Sequence, residues 1–388
     1  MSQTLHARRL VTASQIIERP TIRIAADGSI ASIEPDSAPQ AANETFAATF
    51  FDIHTHGGSG HDLMEATPKA FANVSGFLAR HGVGHYLPTT VTASIDKTLT
   101  SLEGIAREIE CAATSRWNPA HARPIGIHLE GPFISHAKRG VHPPAEILPP
   151  DIALFDRFQQ AASGHIRLIT IAPEVPGALD LIHHCALQGV RVSLGHSNAT
   201  AAETRCGIEA GARSATHTFN AMRALDHREP GILGVVLDEE ALYAELICDG
   251  VHVAPELVRL WFKAKGQRHA ILVTDSMAAA GMPDGEYTLG TFAVKVADGR
   301  AFSADDLTHG KHTLAGSVLT LDRAVSNLRR FTGAPLEVAS RLASHNPAIL
   351  LGLGDTLDGF EPGKPANFNV FDEDGELERT VLHGRTIG

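Results

Sequence analysis

The chain has 388 residues, 43% of them hydrophobic and 20% charged, a balance that suits a globular protein and excludes wholesale disorder. Asp and Glu (44) outnumber Lys and Arg (33), for a formal net charge of -11. That disfavours a nucleic-acid partner, which needs basic surface to neutralise phosphate, but leaves room for a small anionic ligand met by a local set of donors. No apolar run approaches the ~18–20 residues of a membrane span, and the N-terminus lacks the apolar core of a secretory signal. Cys111, Cys185, Cys206 and Cys248 have no CxxC spacing and read as reduced thiols. A cytoplasmic protein with no membrane partner is expected.

In chain order, residues 5–48 read as short strands. Thr21-Ile22-Arg23-Ile24 leads into Asp27-Gly28 and then Ile30-Ala31-Ser32-Ile33, a hairpin signal. The C-terminus repeats the pattern, with Ala366–Phe371, Asp374-Gly375 and Thr380-Val381-Leu382. The two ends are expected to pair into one small β-sandwich domain, residues 1–48 plus 352–388.

Between them, eight short apolar runs alternate with amphipathic stretches. The runs are Thr49–His54, His85–Thr90, Pro124–Glu130, Ile166–Ala172, Arg191–His196, Ser214–His217, Ala244–Asp249 and Ala270–Asp275. Thr98–Glu110, Gly177–Gln188 and Pro255–Lys265 are among the helical stretches between them. Eight strand–helix units predict an α/β chain closed into a (β/α)8 TIM-like barrel over residues 49–351, with an open doubly wound sheet as runner-up. His54, Glu130, His196, His217, Asp249 and Asp275 each close a run, where such barrels carry their chemistry.

After Asp275 the pattern breaks. A hairpin is expected from Glu286 to Phe302 around Asp298-Gly299, then helices at Leu319–Phe331, Leu336–Ala343 and Pro347–Leu351. Gly352-Leu353-Gly354 resembles the start of a dinucleotide fingerprint, but no strand precedes it, so no such cofactor is expected.

His54 and His56 are two apart, so in a strand both imidazoles face one way and can reach one ion. Alone, the pair fits core or surface histidines equally well. Glu130 follows apolar residues, where a carboxylate is costly unless a cation or hydrogen bonds meet it; a structural ion pair is the plainer reading. Singly, His196 and His217 fit hydrogen-bonded core histidines, but with Glu130 they form a set suited to a catalytic divalent metal with a position open for water. Bound metal lowers the pKa of such a water towards ~7. Asp275 can take a proton from that water and later give it to a leaving group, or simply cap the following loop.

With these residues assembled, the chain resembles the amidohydrolase superfamily, and within it the deacetylases of amino-sugar phosphates. The resemblance rests on His128-Leu129-Glu130-Gly131-Pro132-Phe133, Lys138-Arg139-Gly140-Val141-His142, Ala172-Pro173-Glu174, Gly195-His196-Ser197-Asn198-Ala199, Thr216–Met222, Arg228-Glu229-Pro230-Gly231, Asp249-Gly250-Val251-His252 and Val273-Thr274-Asp275. It implies hydrolysis of the acetamide of N-acetyl-D-glucosamine 6-phosphate. Glu130, His196 and His217 would bind the metal, Asp275 would serve as general base and acid, and His142 would polarise the acetyl carbonyl. Val141, Leu314, Ala315 and Gly316 would line the sugar. Asn220, Ala221, Arg228 and His252 would hold the sugar phosphate, with Arg228 reaching across a homodimer interface. Members that keep the first His pair can bind two metals, so His54 and His56 imply one or two ions per subunit, zinc first, with iron, cobalt or manganese also suited. The fourth run, Ile169-Thr170-Ile171-Ala172, has no Lys, which argues against the members whose metals share a modified lysine. A deacetylase of another N-acyl sugar or amino acid is the alternative.

Overall fold

The computed structural model describes residues 2–39, 42–354 and 359–387. Its centre is a ring of eight strands: β1 (Phe50–Thr55), β2 (Val83–Thr90), β3 (Ile127–Glu130), β4 (Ile166–Ile171), β5 (Arg191–Leu194), β6 (Ser214–Ala215), β7 (Tyr243–Ile247) and β8 (Ala270–Val273). Each pairs in parallel with the next. These are the eight apolar runs of the sequence, buried on both faces as parallel strands require.

The ring closes without a long ladder between β8 and β1. The Asp275 N–H donates to His54 O at 2.8 Å and the His56 N–H to Ser276 O at 2.7 Å. Below them the buried Asp52 carboxylate accepts from Thr274 Oγ1 at 2.6 Å, which ties the two strands through side chains. Inside the ring runs a polar ladder. His128 Nε2 lies 2.9 Å from Thr170 Oγ1, Thr170 Oγ1 lies 2.9 Å from Thr216 Oγ1, and Thr216 donates to Ser193 Oγ at 2.7 Å.

Helices cover the ring, and local sequence sets their starts. Helix α1 (Pro68–Arg80) is capped by the Thr67 hydroxyl and has Pro in its first turn. Helix α2 (Ile95–Ala112) begins earlier than its apolar pattern suggests, because Ser94 caps it by accepting from the Lys97 N–H. Ala178–Leu187 and Pro255–His269 complete the three predicted helical stretches.

Beyond β8 the expected hairpin is instead a three-stranded antiparallel sheet, Gly285–Leu289, Phe292–Ala297 and Arg300–Ser303. The extra turn falls at Gly290, at φ 57, whose N–H donates to Asp62 Oδ2 at 2.6 Å. Leu289, Val294 and Val296 pack on Val91 and Met277 beside the mouth of the barrel. The helices Leu321–Thr332, Leu336–Ala343 and His345–Leu350 follow. Gly352-Leu353-Gly354 comes straight after the last of these, with no strand before it.

The chain ends do pair. Phe368–Phe371 runs antiparallel to Thr45–Ala48 within a six-stranded sheet, and Phe46 stacks on Phe368 with ring centroids 4.9 Å apart. A second sheet, Gln3–His6, Thr21–Ile24 and Ile30–Glu34, contains the expected Asp27-Gly28 hairpin. Leu10, Ile22, Ile30, Phe46 and Val370 fill one apolar cluster contributed by both sheets. Among the described residues, no helix is long and apolar enough to cross a membrane.

Candidate metal centre

The C-terminal ends of the strands bring the predicted ligands together. Glu130 Oε1 lies 3.1 Å from His196 Nε2 and 3.1 Å from His217 Nε2, and those two nitrogens are 3.1 Å apart. Tetrahedral bonds of ~2.0–2.1 Å place ligand atoms roughly 3.3–3.4 Å from one another, close to this triangle. On the other side, His56 Nε2 lies 3.0 Å and His54 Nε2 3.5 Å from Asp275 Oδ1. Glu130 sits between the two groups, with Oε2 3.4 Å from His56 Nε2 and Oε1 3.5 Å from His54 Nε2. Thr170, on β4, where no lysine stands, turns its hydroxyl to His128.

The backs of the imidazoles fix which nitrogen faces the centre. His56 Nδ1 meets Thr89 O at 3.1 Å and His196 Nδ1 meets Lys138 O at 3.0 Å. A carbonyl only accepts, so each Nδ1 carries the proton and each Nε2 offers its lone pair inward. His142 is the opposite tautomer. Its Nδ1 accepts from the Thr92 N–H at 3.3 Å and lies 2.7 Å from Thr92 Oγ1, so Nε2 carries the proton. Burial, aided by the charge of His196, lowers its pKa to about 3. His142 is therefore a neutral donor beside the ligands, suited to a developing oxyanion. A Cβ at Gly131, at φ 76, would collide with that Thr92 hydroxyl, which is why the turn after Glu130 needs glycine.

The electrostatics favour a cation. Burial opposes ionisation of Glu130, yet the surrounding imidazoles, His54 foremost, hold its carboxyl well below the usual range. Burial likewise opposes charge on His56, but its bonds to Asp275 and Glu130 outweigh that and raise it to about 9, so without a metal Nε2 holds a proton that a bound cation would displace. His54 Nε2 is buried and has no hydrogen-bond partner among the described residues. Two buried carboxylates facing inward-turned lone pairs demand positive charge, and the residues present fit a divalent metal. His196, His217 and Asp275 reach their places through left-handed backbone, at φ 47, 28 and 49. For residues other than glycine this costs about 1–3 kcal/mol each and marks functional sites.

The ligands open into a cavity of about 300 Å³. Val141, Asn220, Ala221, His252, Leu314 and Gly316 line it as the sequence suggests. Ala315 is fully buried among the apolar side chains behind the wall, and Arg228 lies exposed in a loop that does not reach the cavity of its own chain. His252 Nδ1 meets Asp249 Oδ2 at 2.6 Å. Burial disfavours its charge, but Asp249 prevails and its pKa is raised. The sequence reading missed His312 and Thr313, which line the mouth, and the two buried carboxylates Asp52 and Glu245. Both carry the signal that marked Glu130, an acid inside an apolar run.

A divalent-metal centre at the mouth of a (β/α)8 barrel defines a metal-dependent hydrolase, and the chain belongs to the amidohydrolase family, whose model matches residues 45–387. It is 38% identical to the N-acetylgalactosamine-6-phosphate deacetylase of Escherichia coli O157:H7 over 99% of both chains. It is 34% identical to the N-acetylglucosamine-6-phosphate deacetylase of Bacillus subtilis (strain 168), over 97% of this chain and 94% of that one. Among solved structures it resembles an Asp-to-Ala variant of the Mycobacterium smegmatis N-acetyl-D-glucosamine-6-phosphate deacetylase in complex with N-acetyl-D-glucosamine 6-phosphate. The TM-score is 0.90 at 33% identity, covering 100% of this chain and 99% of that one.

Proposed function

We propose that this enzyme hydrolyses the acetamide of N-acetyl-D-glucosamine 6-phosphate to D-glucosamine 6-phosphate and acetate. The observation that carries the reading is the juxtaposition, in one cavity, of the Glu130–His196–His217 triangle, Asp275 and a neutral His142 donor. A divalent cation held there, zinc first, supplies Lewis-acid polarisation and lowers the pKa of a water towards ~7. Asp275 takes a proton from the attacking water and returns it to the departing nitrogen as the C–N bond breaks. His142 Nε2–H donates to the acetyl oxygen as negative charge grows on it.

The sugar phosphate meets Asn220, Ala221 and His252. None of the described residues lining the cavity is Lys or Arg, so the phosphate dianion lacks a strong cation within one chain. Arg228 supplies it from a neighbouring subunit of a homodimer. Leu225 and Val251, 53% and 41% exposed in the flanking loops, suit such an interface. Four free thiols are in keeping with a cytoplasmic protein.

The 38% identity to the N-acetylgalactosamine-6-phosphate enzyme favours a second reading, the C4 epimer as substrate. Acetate release from both phosphorylated epimers and from the unphosphorylated sugars separates the possibilities. Fast release from N-acetylglucosamine 6-phosphate is expected. Release confined to the galacto epimer moves the assignment there, and equal rates with and without phosphate remove the role given to Arg228 and His252.

A further inference from the structure

We infer that Glu245 is a positioning residue for the metal centre: it fixes the tautomer of His54 and secures the metal position that His54 and His56 share. The inference rests on the proposed hydrolase reading and on taking His54, His56 and Asp275 as a second metal position beside that of Glu130, His196 and His217, which we call the two-metal reading.

Glu245 lies in the middle of β7 and is wholly buried. Its Oε2 is 3.1 Å from His54 Nδ1 and accepts the backbone N–H of His217 at 3.3 Å. Its own carbonyl accepts the Thr218 N–H at 2.8 Å. One residue of β7 thus joins the imidazole of β1 to the backbone that presents the ligand after β6. Barrel interiors are ordinarily filled by branched apolar side chains, so a carboxylate here needs a reason. Among the described residues no Lys or Arg pairs with it, and its ion-pair partner is His54.

The bond decides how His54 is used. A carboxylate accepts, so the proton sits on Nδ1 and the lone pair on Nε2. Nε2 then faces Glu130 Oε1 and Asp275 Oδ1, both at 3.5 Å, with no hydrogen-bond partner of its own. His56 and His196 lean on backbone carbonyls, whereas His54 leans on a side-chain carboxyl group. That makes its Nε2 the more basic donor, and loss of such a partner typically costs 10–100-fold in metal affinity.

The test compares the metal-loaded wild type with Glu245→Gln, which keeps the shape and removes the charge. Metal per chain is counted by elemental analysis after dialysis against graded chelator. The expected result is two metals in the wild type and, in the variant, a 10–100-fold weaker hold on one of them with the other unchanged. In a His54→Ala background the same substitution should change nothing further. Two metals of unchanged affinity in Glu245→Gln would overturn the inference alone. One metal in the saturated wild type would overturn the two-metal reading and the inference with it. If the variant does not fold, nitrogen NMR of the cadmium-loaded wild type decides. Cadmium coupled to His54 Nε2 with the Nδ1 proton retained supports the role, and cadmium on Nδ1 refutes it.

Discussion

At the scale of single residues, the centre divides its histidines by what stands behind them. Those backed by acceptors turn a lone pair inward, and His142, backed by the Thr92 N–H, turns a proton inward. Asp275 lies against them, its pKa held down to about 2 once the neighbouring histidines, His54 first, overcome its burial. It is ionised at neutral pH, as the proton-accepting role proposed for it requires. Asp275→Asn should lower kcat by 10²–10⁴-fold, as loss of a general base does, while at least the metal on Glu130, His196 and His217 stays bound. Near wild-type turnover with that metal in place would remove Asp275 from proton transfer. That His54, His196 and His217 would come together was legible because each closes an apolar run. The tautomers of His54, His56, His142 and His196 were not, since the deciding partners are the Glu245 carboxyl and backbone groups of Thr89, Thr92 and Lys138, which the local sequence does not announce.

At the scale of elements, the eight strands were legible because parallel strands buried on both faces show as apolar runs. The sheet beyond β8 was only half legible, since a turn at a lone Gly290 leaves Tyr287–Val294 looking like one continuous strand. The seam between β8 and β1 left no periodic signal either, because it depends on side chains and loop backbone. Asp52 accepts from Thr274 Oγ1, the Thr274 N–H and the His54 N–H at that seam. Asp52→Ala strands a buried hydroxyl and two amides, at about 1–3 kcal/mol for each group left unsatisfied. Urea unfolding of the metal-free protein should show a loss of at least about 2 kcal/mol. Asp52→Asn, whose amide oxygen can still accept, should lose less. Equal midpoints for Asp52→Ala and wild type would mean that the backbone bonds of Asp275 and His56 and the packing around them hold the seam without Asp52.

For the whole molecule, the terminal segments form two sheets, and His85 of β2 lines a cavity with Arg123 and with Asn367 and His383 of the C-terminal segment. Burial, with those two charges adding to it, lowers the His85 pKa from 6.5 to about 4. Between pH 6.5 and 4 the unfolded chain therefore takes up a proton that the folded chain refuses. Stability is complete at pH 7 and falls as pH drops through that window, by up to about 3 kcal/mol from this group. Melting temperatures of wild type and His85→Gln should converge on acidification, the wild type losing more. Parallel curves would show that His85 stays accessible to protons when folded. That both ends carry strand patterns was readable; that they pair, with Phe46 on Phe368, was not, because nothing local in either segment encodes its partner.

The left-handed backbone at positions 196, 217 and 275 has one more consequence, for how such a chain can change. Glycine would sit there with less strain than histidine or aspartate. A chain selected for thermal endurance alone would drift towards it and fall silent as a catalyst. The three strained side chains are therefore a standing conflict between durability and chemistry, held by selection for turnover.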